Sequence, residues 1–220
     1  METIFRRSPA VFNRPVKKRE IRNNWDVVLE YDNEGSGPYL IDLSHLSRWD
    51  IQDKDLDRFK PWEIRLPETP GHCLFHNGVL INRMNQNQAS IWHLVGEKLD
   101  EPDDAAYTET TDGTVFLGIY GSEVFAITEK LTSLDFLEPF RKAPFLLQGP
   151  FAHVPCQIVT VENTAERSGI LLTCSRGYAQ DMVDAILSAG DEYDLRSAGE
   201  TVFRSWLNLW AIRNKSVDNE

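Results

Sequence analysis

Two histidines and a cysteine lie close together at His72, Cys73 and His76. Imidazole and thiolate are zinc ligands, and a helical H-x-x-x-H spacing would bring both imidazoles to one ion. The dipeptide Asn77-Gly78 follows at once, however, and it is typical of a β-hairpin turn. On a strand the two histidines stand about 13 Å apart, too far for one ion. The segment therefore predicts a strand without a metal.

Asp42, Ser44 and His45 are a second suggestive group, because these residue types form nucleophilic triads. A triad assembles from separate parts of a chain, whereas on one strand Asp42 and Ser44 share a face and His45 lies on the other. The spacing favours a strand end whose polar groups hydrogen-bond the following turn.

Cys174 precedes Arg176, and a nearby guanidinium can lower the pKa of a thiol. The apolar run GILLTC that ends at Cys174 instead favours a small buried core residue. The sequence contains no G-x-x-x-x-G-K-[ST] phosphate loop, no G-x-G-x-x-G loop and no G-x-S-x-G elbow. The residues alone therefore give no catalytic signature.

Most of these residues lie on predicted short strands. The alternation of apolar and polar residues, together with turn dipeptides, predicts strands at Trp25–Tyr31, Tyr39–Leu43, Arg48–Gln52, Cys73–Phe75, Val79–Met84, Gln88–Val95, Thr114–Tyr120, Val124–Thr128, Phe145–Gln148, Gln157–Val161 and Gly169–Cys174. The pair Thr114–Tyr120 and Val124–Thr128 reads as a hairpin through Gly121-Ser122.

Two amphipathic helices are predicted near the C-terminal end, one from Ala179 to a stop at Gly190 and one spanning Val202 to Trp210. Ser197 and Glu200 have the S-x-x-E spacing of a capping box for the second helix. Two short helices are predicted earlier, at Lys54–Phe59 and Leu134–Arg141. Strands followed by helices indicate an α+β fold with mostly antiparallel sheets.

The formal net charge of the 220-residue chain is -11, which disfavours nucleic acid as a partner. Residues 1–24 are basic and predict an extended arm that lies on the domain or docks an acidic partner. Three scattered cysteines favour a reducing, cytoplasmic location, and no signal peptide or membrane span is expected. We expect three segments: the arm at 1–24, one domain at 25–212 and a polar tail at 213–220.

Five strings occur in the order found in the glycine-cleavage T-protein (aminomethyltransferase) superfamily. They are IDLSHLSRWDIQ at 41–52, HNGVLINRM at 76–84, FLLQGP at 145–150, SRGYAQD at 175–181 and AGETVFRSWL at 198–207. They resemble, in turn, the family's aspartate-valine-serine-histidine strand, its glycine hairpin, its A-L-Q-G-P turn, its R-T-G-Y-T-G-E string and its late G-x-x-x-R helix. The resemblance implies a folate-binding T-protein-like fold.

The departures from that pattern bear on activity. In the transferases the hairpin ends in two adjacent aspartates, one of which holds the reacting nitrogen and stabilises its positive charge. Asn82 and Arg83 stand at those positions here. An amide carries no charge and a guanidinium carries the wrong one. Asp181 falls near the family's glutamate. After the helix near residue 212 we expect a chain without the C-terminal barrel of the full transferases.

The resemblance is therefore closest to the sarcosine oxidase gamma-subunit type, which implies an accessory chain that binds partner subunits or associates with itself. A surviving pocket would take tetrahydrofolate between Asn82, Met84, Tyr178 and Asp181. An active tetrahydrofolate-dependent aminomethyltransferase of one-carbon metabolism, using Asp42, Asp50 or Asp181, is the alternative. A third hypothesis is a folate-binding regulator of iron–sulfur cluster assembly, but Cys174 is offset from the position of the functional cysteine in those proteins.

Overall fold

A computed structural model describes residues 5–95, 99–100, 102–137, 141–164 and 167–215. Within these residues thirteen strands form three sheets, and three α-helices pack against them. The α+β class with mostly antiparallel sheets is thus confirmed, as are the two C-terminal helices.

The largest sheet has six strands and forms the centre of the molecule. Its spatial order is β10 (Phe145–Phe151), β11 (Val154–Asn163), β12 (Ser168–Ser175), β9 (Thr114–Gly121), β3 (Tyr39–Asp42) and β13 (Arg196–Ala198). Neighbouring strands are antiparallel, except that β13 runs parallel to β3. The central strands β9 and β12 are apolar on both faces, as expected of strands covered on both sides.

A second sheet has five antiparallel strands. Its order is β5 (Cys73–His76), β6 (Val79–Arg83), β7 (Gln88–His93), β4 (Arg48–Gln52) and β8 (Tyr107–Glu109). Asn77 and Gly78 both have positive φ in the turn between β5 and β6, so the predicted hairpin is confirmed.

Three apolar clusters divide the molecule into layers. Helices α1 (Val124–Glu129) and α2 (Ala179–Gly190) cover one face of the six-stranded sheet. Helix α3 (Glu200–Lys215) and the five-stranded sheet cover its other face. The far face of the five-stranded sheet packs against apolar side chains of the segment 56–66.

The basic N-terminal segment is built into the fold. Strand β1 (Val16–Arg22) pairs with β2 (Trp25–Tyr31) as a separate antiparallel hairpin, and Ala10 and Phe12 are buried in the cluster under α2. Four of its cations contact carboxylates within the chain: Arg6 with Asp112, Lys17 with Glu30, Arg19 with Asp26 and Arg22 with Glu200. The segment therefore lies on the domain, and these four cations are satisfied there.

Four local predictions were wrong. Val124–Thr128 forms helix α1 instead of a strand, because Val124, Phe125 and Ile127 bury together against the sheet. Lys54–Phe59 contains only a 3-10 turn at Leu56–Arg58.

In the segment predicted as a helix at Leu134–Arg141, residues 134–137 and 141 are not helical, and residues 138–140 lie outside the described residues. Ser197 does not cap α3, because it lies in β13, which pairs with β3. The carboxylate of Glu200, the other residue of the predicted capping box, accepts a hydrogen bond from Arg22 instead. No helix of the described ranges is both long and apolar enough to cross a membrane.

Candidate functional site

Asn82, where the resemblance places a catalytic carboxylate, is fully buried on β6. Its amide nitrogen donates to Ser90 Oγ at 3.2 Å, and its Oδ1 has no hydrogen-bond partner. Cys73, Asn82, Ser90 and Asp50 are successive cross-strand partners in one row of the sheet. Of these four residues only Asp50 has a carboxylate, and Asp50 lies on β4, two strands away from Asn82 on β6.

Asp50 is partly buried and accepts a weak bond from Gln88 Nε2 at 3.4 Å. Burial raises the pKa of Asp50, because desolvation disfavours the charged carboxylate. Asp50 and Asn82 are separated in their row by Ser90 of the intervening strand β7.

Arg83 occupies the next position on the strand and therefore points to the opposite face from Asn82. Its guanidinium donates to the carbonyls of Asn85 and Gln86, each at 2.8 Å, and lies 3.6 Å from Asp57. The guanidinium thus stabilises its own turn.

The structure does not bring the four predicted folate residues together. Asn82 and Met84 lie on the side of the six-stranded sheet that faces the five-stranded sheet. Tyr178 and Asp181 lie at the start of α2, which covers the opposite face, and both are exposed. The six-stranded sheet separates the two pairs.

The polar groups of IDLSHL have the structural role that the spacing favours. Asp42 Oδ1 accepts from the backbone nitrogen of Ser44 at 3.0 Å and from its hydroxyl at 2.6 Å, and Ser44 Oγ accepts from the Phe116 nitrogen. His45 is not part of these hydrogen bonds, and its Nε2 lies 3.0 Å from Glu200 Oε1. The triad interpretation is therefore excluded by geometry.

Glu200 is the centre of a buried charge cluster that sequence reasoning missed. Its carboxylate is 1% exposed and accepts from Arg22 at 2.7 and 2.8 Å, with Arg204 at 3.2 Å. Burial raises the pKa of Glu200, but the hydrogen bonds from His45 and Arg22 outweigh it and hold the pKa well below its ordinary value. The cluster ties the N-terminal hairpin to α3.

The three thiols are free. Cys156 and Cys174 are both buried in the cluster under α2, as predicted for Cys174, and burial raises the pKa of the Cys73 thiol. No group of three or more His, Cys, Asp or Glu side chains within the described ranges could hold a metal ion.

A cavity lies at the edge of the six-stranded sheet, beside α3. Its volume is about 510 Å³, and its walls include Tyr39, Tyr120, Glu162, Val202, Trp206 and Leu209. Glu162 Oε2 accepts from Trp206 Nε1 at 2.8 Å. No sequence motif marks these residues, which come from the four elements β3, β9, β11 and α3.

A second cavity of about 350 Å³ lies between the N-terminal segment and β2 and is bordered by Asp42, His45 and Arg14. Arg14 donates to the backbone carbonyls of Ser197, Asp32 and Asn33. The side chains of Arg14, Asp42 and His45 thus hydrogen-bond to other parts of the chain and stabilise the fold.

Comparison with known proteins identifies the architecture. The fold resembles that of a sarcosine oxidase chain. The matching structure is a heterotetrameric sarcosine oxidase from Corynebacterium sp. U-96 in complex with pyrrole 2-carboxylate, with a TM-score of 0.59 and 9% sequence identity. The match covers 73% of this chain and 88% of that chain. No protein-family model matches the sequence, and no curated protein matches it.

At that identity the likeness shows a shared fold and says nothing about chemistry. It agrees with an α+β fold like that of a sarcosine oxidase subunit. The side chains at 82 and 83 are a neutral amide and a guanidinium that donates to the carbonyls of its own turn, so neither offers an anion for a cationic intermediate.

Proposed function

We propose that this chain is an accessory subunit of a multi-chain complex, comparable in fold to a chain of heterotetrameric sarcosine oxidase, and that it has no transferase centre of its own. The observation that carries the proposal is that the residues at the end of the β5–β6 hairpin, Asn82 and Arg83, supply no carboxylate. Asn82 is buried and bonded to Ser90, and Arg83 is bonded to its own turn.

Two further features support an accessory role. The matched protein is a heterotetramer, and 88% of the matched chain is covered, so a chain of this architecture functions there beside other chains. Leu209 and Ile212 are three residues apart on α3 and are 56% and 68% exposed, which leaves an apolar patch that a partner subunit would bury.

The assembly is tested by tagging the chain in its own host and purifying it under native conditions. Native mass spectrometry should find it in a complex of fixed stoichiometry, heavier than the 25.2 kDa of the chain alone. A chain that is monomeric throughout a fresh extract contradicts the proposal. The cytoplasm is the compartment we propose, since the three thiols are free.

The absence of a transferase centre is tested on the purified chain. Mixed with an aminomethyl donor and tetrahydrofolate, it should produce no methylene transfer above background. Calorimetric titration with 5-formyltetrahydrofolate decides separately whether a folate still binds. Transfer at rates typical of the transferases would restore the alternative of an active enzyme.

A further inference from the structure

Two of the three thiols, Cys156 and Cys174, lie side by side on neighbouring strands of the six-stranded sheet. We propose that this pair is an oxidation site, at which hydrogen peroxide converts the two thiols into a reversible intrachain disulfide. The inference does not rest on the accessory role, because the pair is buried in the cluster under α2, on the face of the sheet opposite α3.

The strand register sets the two cysteines opposite each other. Strands β11 and β12 are antiparallel, and their ladder pairs Gln157 with Thr173. The next residue outward on each strand is a cysteine, so Cys156 stands across from Cys174. Directly opposed residues of antiparallel strands have Cα atoms about 4.5–5.5 Å apart, a separation that a disulfide spans.

The two thiols also face each other within the core. Their side chains are 6% and 4% exposed in one apolar cluster. A hydrogen bond from the Cys156 thiol lowers the pKa of Cys174, although burial opposes that shift. The same hydrogen bond, together with burial, raises the pKa of Cys156. Because the thiolate is the nucleophile, Cys174 reacts first and Cys156 is the thiol that resolves the intermediate.

The pair lies at an end of the sheet, where the strands can adjust. The β11–β12 ladder ends at Gln157 and Thr173, one residue before the pair, and the residues that follow the pair, Pro155 and Ser175, are exposed. Proline has no N–H with which to continue a ladder. A small change in strand separation there therefore breaks no β11–β12 backbone hydrogen bond. Each cysteine is also one residue from an exposed position, within reach of a small oxidant.

The chemistry takes two steps. The Cys174 thiolate attacks one oxygen of hydrogen peroxide, the O–O bond breaks, and a sulfenic acid forms as hydroxide leaves. The Cys156 sulfur then attacks the sulfenic sulfur, the S–O bond breaks, and the disulfide forms as water leaves. In sum the two thiols lose two electrons and two protons, and one peroxide becomes two waters. Exchange with a thiol reductant such as glutathione restores the dithiol.

Cys73 is an internal control for this reaction. It lies on β5 of the five-stranded sheet, and its cross-strand partner is Asn82. It packs against the cluster on the other face of the six-stranded sheet, and burial raises the pKa of its thiol. We therefore expect Cys73 to remain a thiol while the pair is oxidised.

Peptide mapping tests the pair in the whole native chain. The chain is treated with hydrogen peroxide, the excess is removed with catalase, and the remaining thiols are blocked with N-ethylmaleimide in urea. Trypsin then cleaves after Arg167, so that one cysteine of the pair lies in peptide 143–167 and the other in peptide 168–176.

We expect mass spectrometry to find these two peptides joined, with the loss of two hydrogen atoms, and the Cys73 peptide blocked by N-ethylmaleimide. The joined peptides should exceed any link to Cys73 by about tenfold, and dithiothreitol added before blocking should remove them. In a chain unfolded in urea before the peroxide is added, links to Cys73 should appear as well, because the register is lost.

Three variants assign the roles. Cys73→Ser is the matched control and should keep the joined peptides. Cys156→Ser removes the resolving thiol, so dimedone should label a sulfenic acid on Cys174. Cys174→Ser should lower the dimedone labelling of Cys156 about tenfold relative to that, because the thiol with the raised pKa remains. Circular dichroism confirms that each variant is folded, and the mapping of the wild-type chain needs no variant.

The proposal is overturned by any of three results: no joined peptides from the folded wild-type chain, links to Cys73 that form as readily as the pair, or joined peptides that form only after unfolding. None of these outcomes bears on the accessory role, which is tested by the native complex.

Discussion

At the scale of the residue, the buried carboxylate of Glu200 concentrates charge in the core, because three cationic or polar side chains converge on it. Arg22 binds it with two hydrogen bonds, and His45 and Arg204 add further contacts. A charge with 1% exposure is tolerable only while those partners remain, since removal of one partner leaves the others buried and uncompensated.

We therefore expect Glu200→Gln to lower the free energy of unfolding by about 3 kcal/mol at neutral pH. The pKa of Glu200 is lowered on folding, so its contribution is fully present above the ordinary carboxyl pKa and is lost as the pH falls from there through the folded-state value. Urea unfolding of both proteins across that range should show the difference shrinking with acid.

Glu20→Gln is the matched control, because Glu20 is exposed and contacts the same Arg22 at 3.3 Å. It should change stability by no more than about 0.5 kcal/mol. A difference between wild type and Glu200→Gln that stays constant with pH would contradict the assignment.

At the scale of the element, β9 shows how a sheet face is shaped to hold an aromatic stack. The ring of Tyr120 lies over Gly118 of its own strand and Gly169 of β12. A Cβ at Gly118 would stand 2.5 Å from the ring, and one at Gly169 would stand 2.8 Å from it. The absence of both side chains lets Tyr120 pack under Trp206.

Gly118→Ala should accordingly cost about 2 kcal/mol in the free energy of unfolding, because the ring must move from its packed position. The same substitution in a Tyr120→Leu background should cost less. Gly113→Ala, where a Cβ would meet nothing within 4 Å, should be nearly neutral. If Gly118→Ala lowered the free energy of unfolding equally in both backgrounds, its effect would not come from displacing the Tyr120 ring.

The N-terminal segment is also an element of the fold, and Phe12 tests this directly. Phe12 is 7% exposed in the cluster under α2, and its ring centroid lies 5.8 Å from that of Tyr31. Phe12→Ala should lower the free energy of unfolding by about 3 kcal/mol.

Its neighbour Val11 is 63% exposed, so Val11→Ala should stay within about 0.5 kcal/mol of wild type. Similar, small effects of the two substitutions on denaturant unfolding would mean that the segment is only loosely attached.

At the scale of the whole molecule, the layers bury nearly all large apolar side chains of the described chain and leave few for partners. Of these few, Leu209 and Ile212 are adjacent on one helix face, whereas Ile21 stands alone among the charged residues of β1. Adjacent exposed apolar residues mark an interaction surface more clearly than a single one.

We expect Ile212→Asp to release the chain from its native complex while leaving its melting temperature unchanged, and Ile21→Asp to leave the complex intact. Native mass spectrometry of the tagged variants gives the comparison. A complex that survives Ile212→Asp places the interface on another face.

The sequence by itself determined the α+β class, the two C-terminal helices, the hairpin at Asn77-Gly78, and the lack of an acidic pair at residues 82 and 83. These follow from periodicity, turn chemistry and residue identity, which act over a few neighbouring positions. The interpretation of Asp42 and Ser44 as a strand end also depended only on their spacing, and their hydrogen bonds confirm it.

Only the tertiary structure decided that Val124–Glu129 is a helix, that Ser197 belongs to a strand, and that the six-stranded sheet separates Asn82 from Tyr178. Burial against distant parts of the chain outweighs local preference in such segments. Glu162, Tyr120 and Trp206 meet because a bulge, two glycines and a helix face coincide, and no local pattern of residues encodes that meeting.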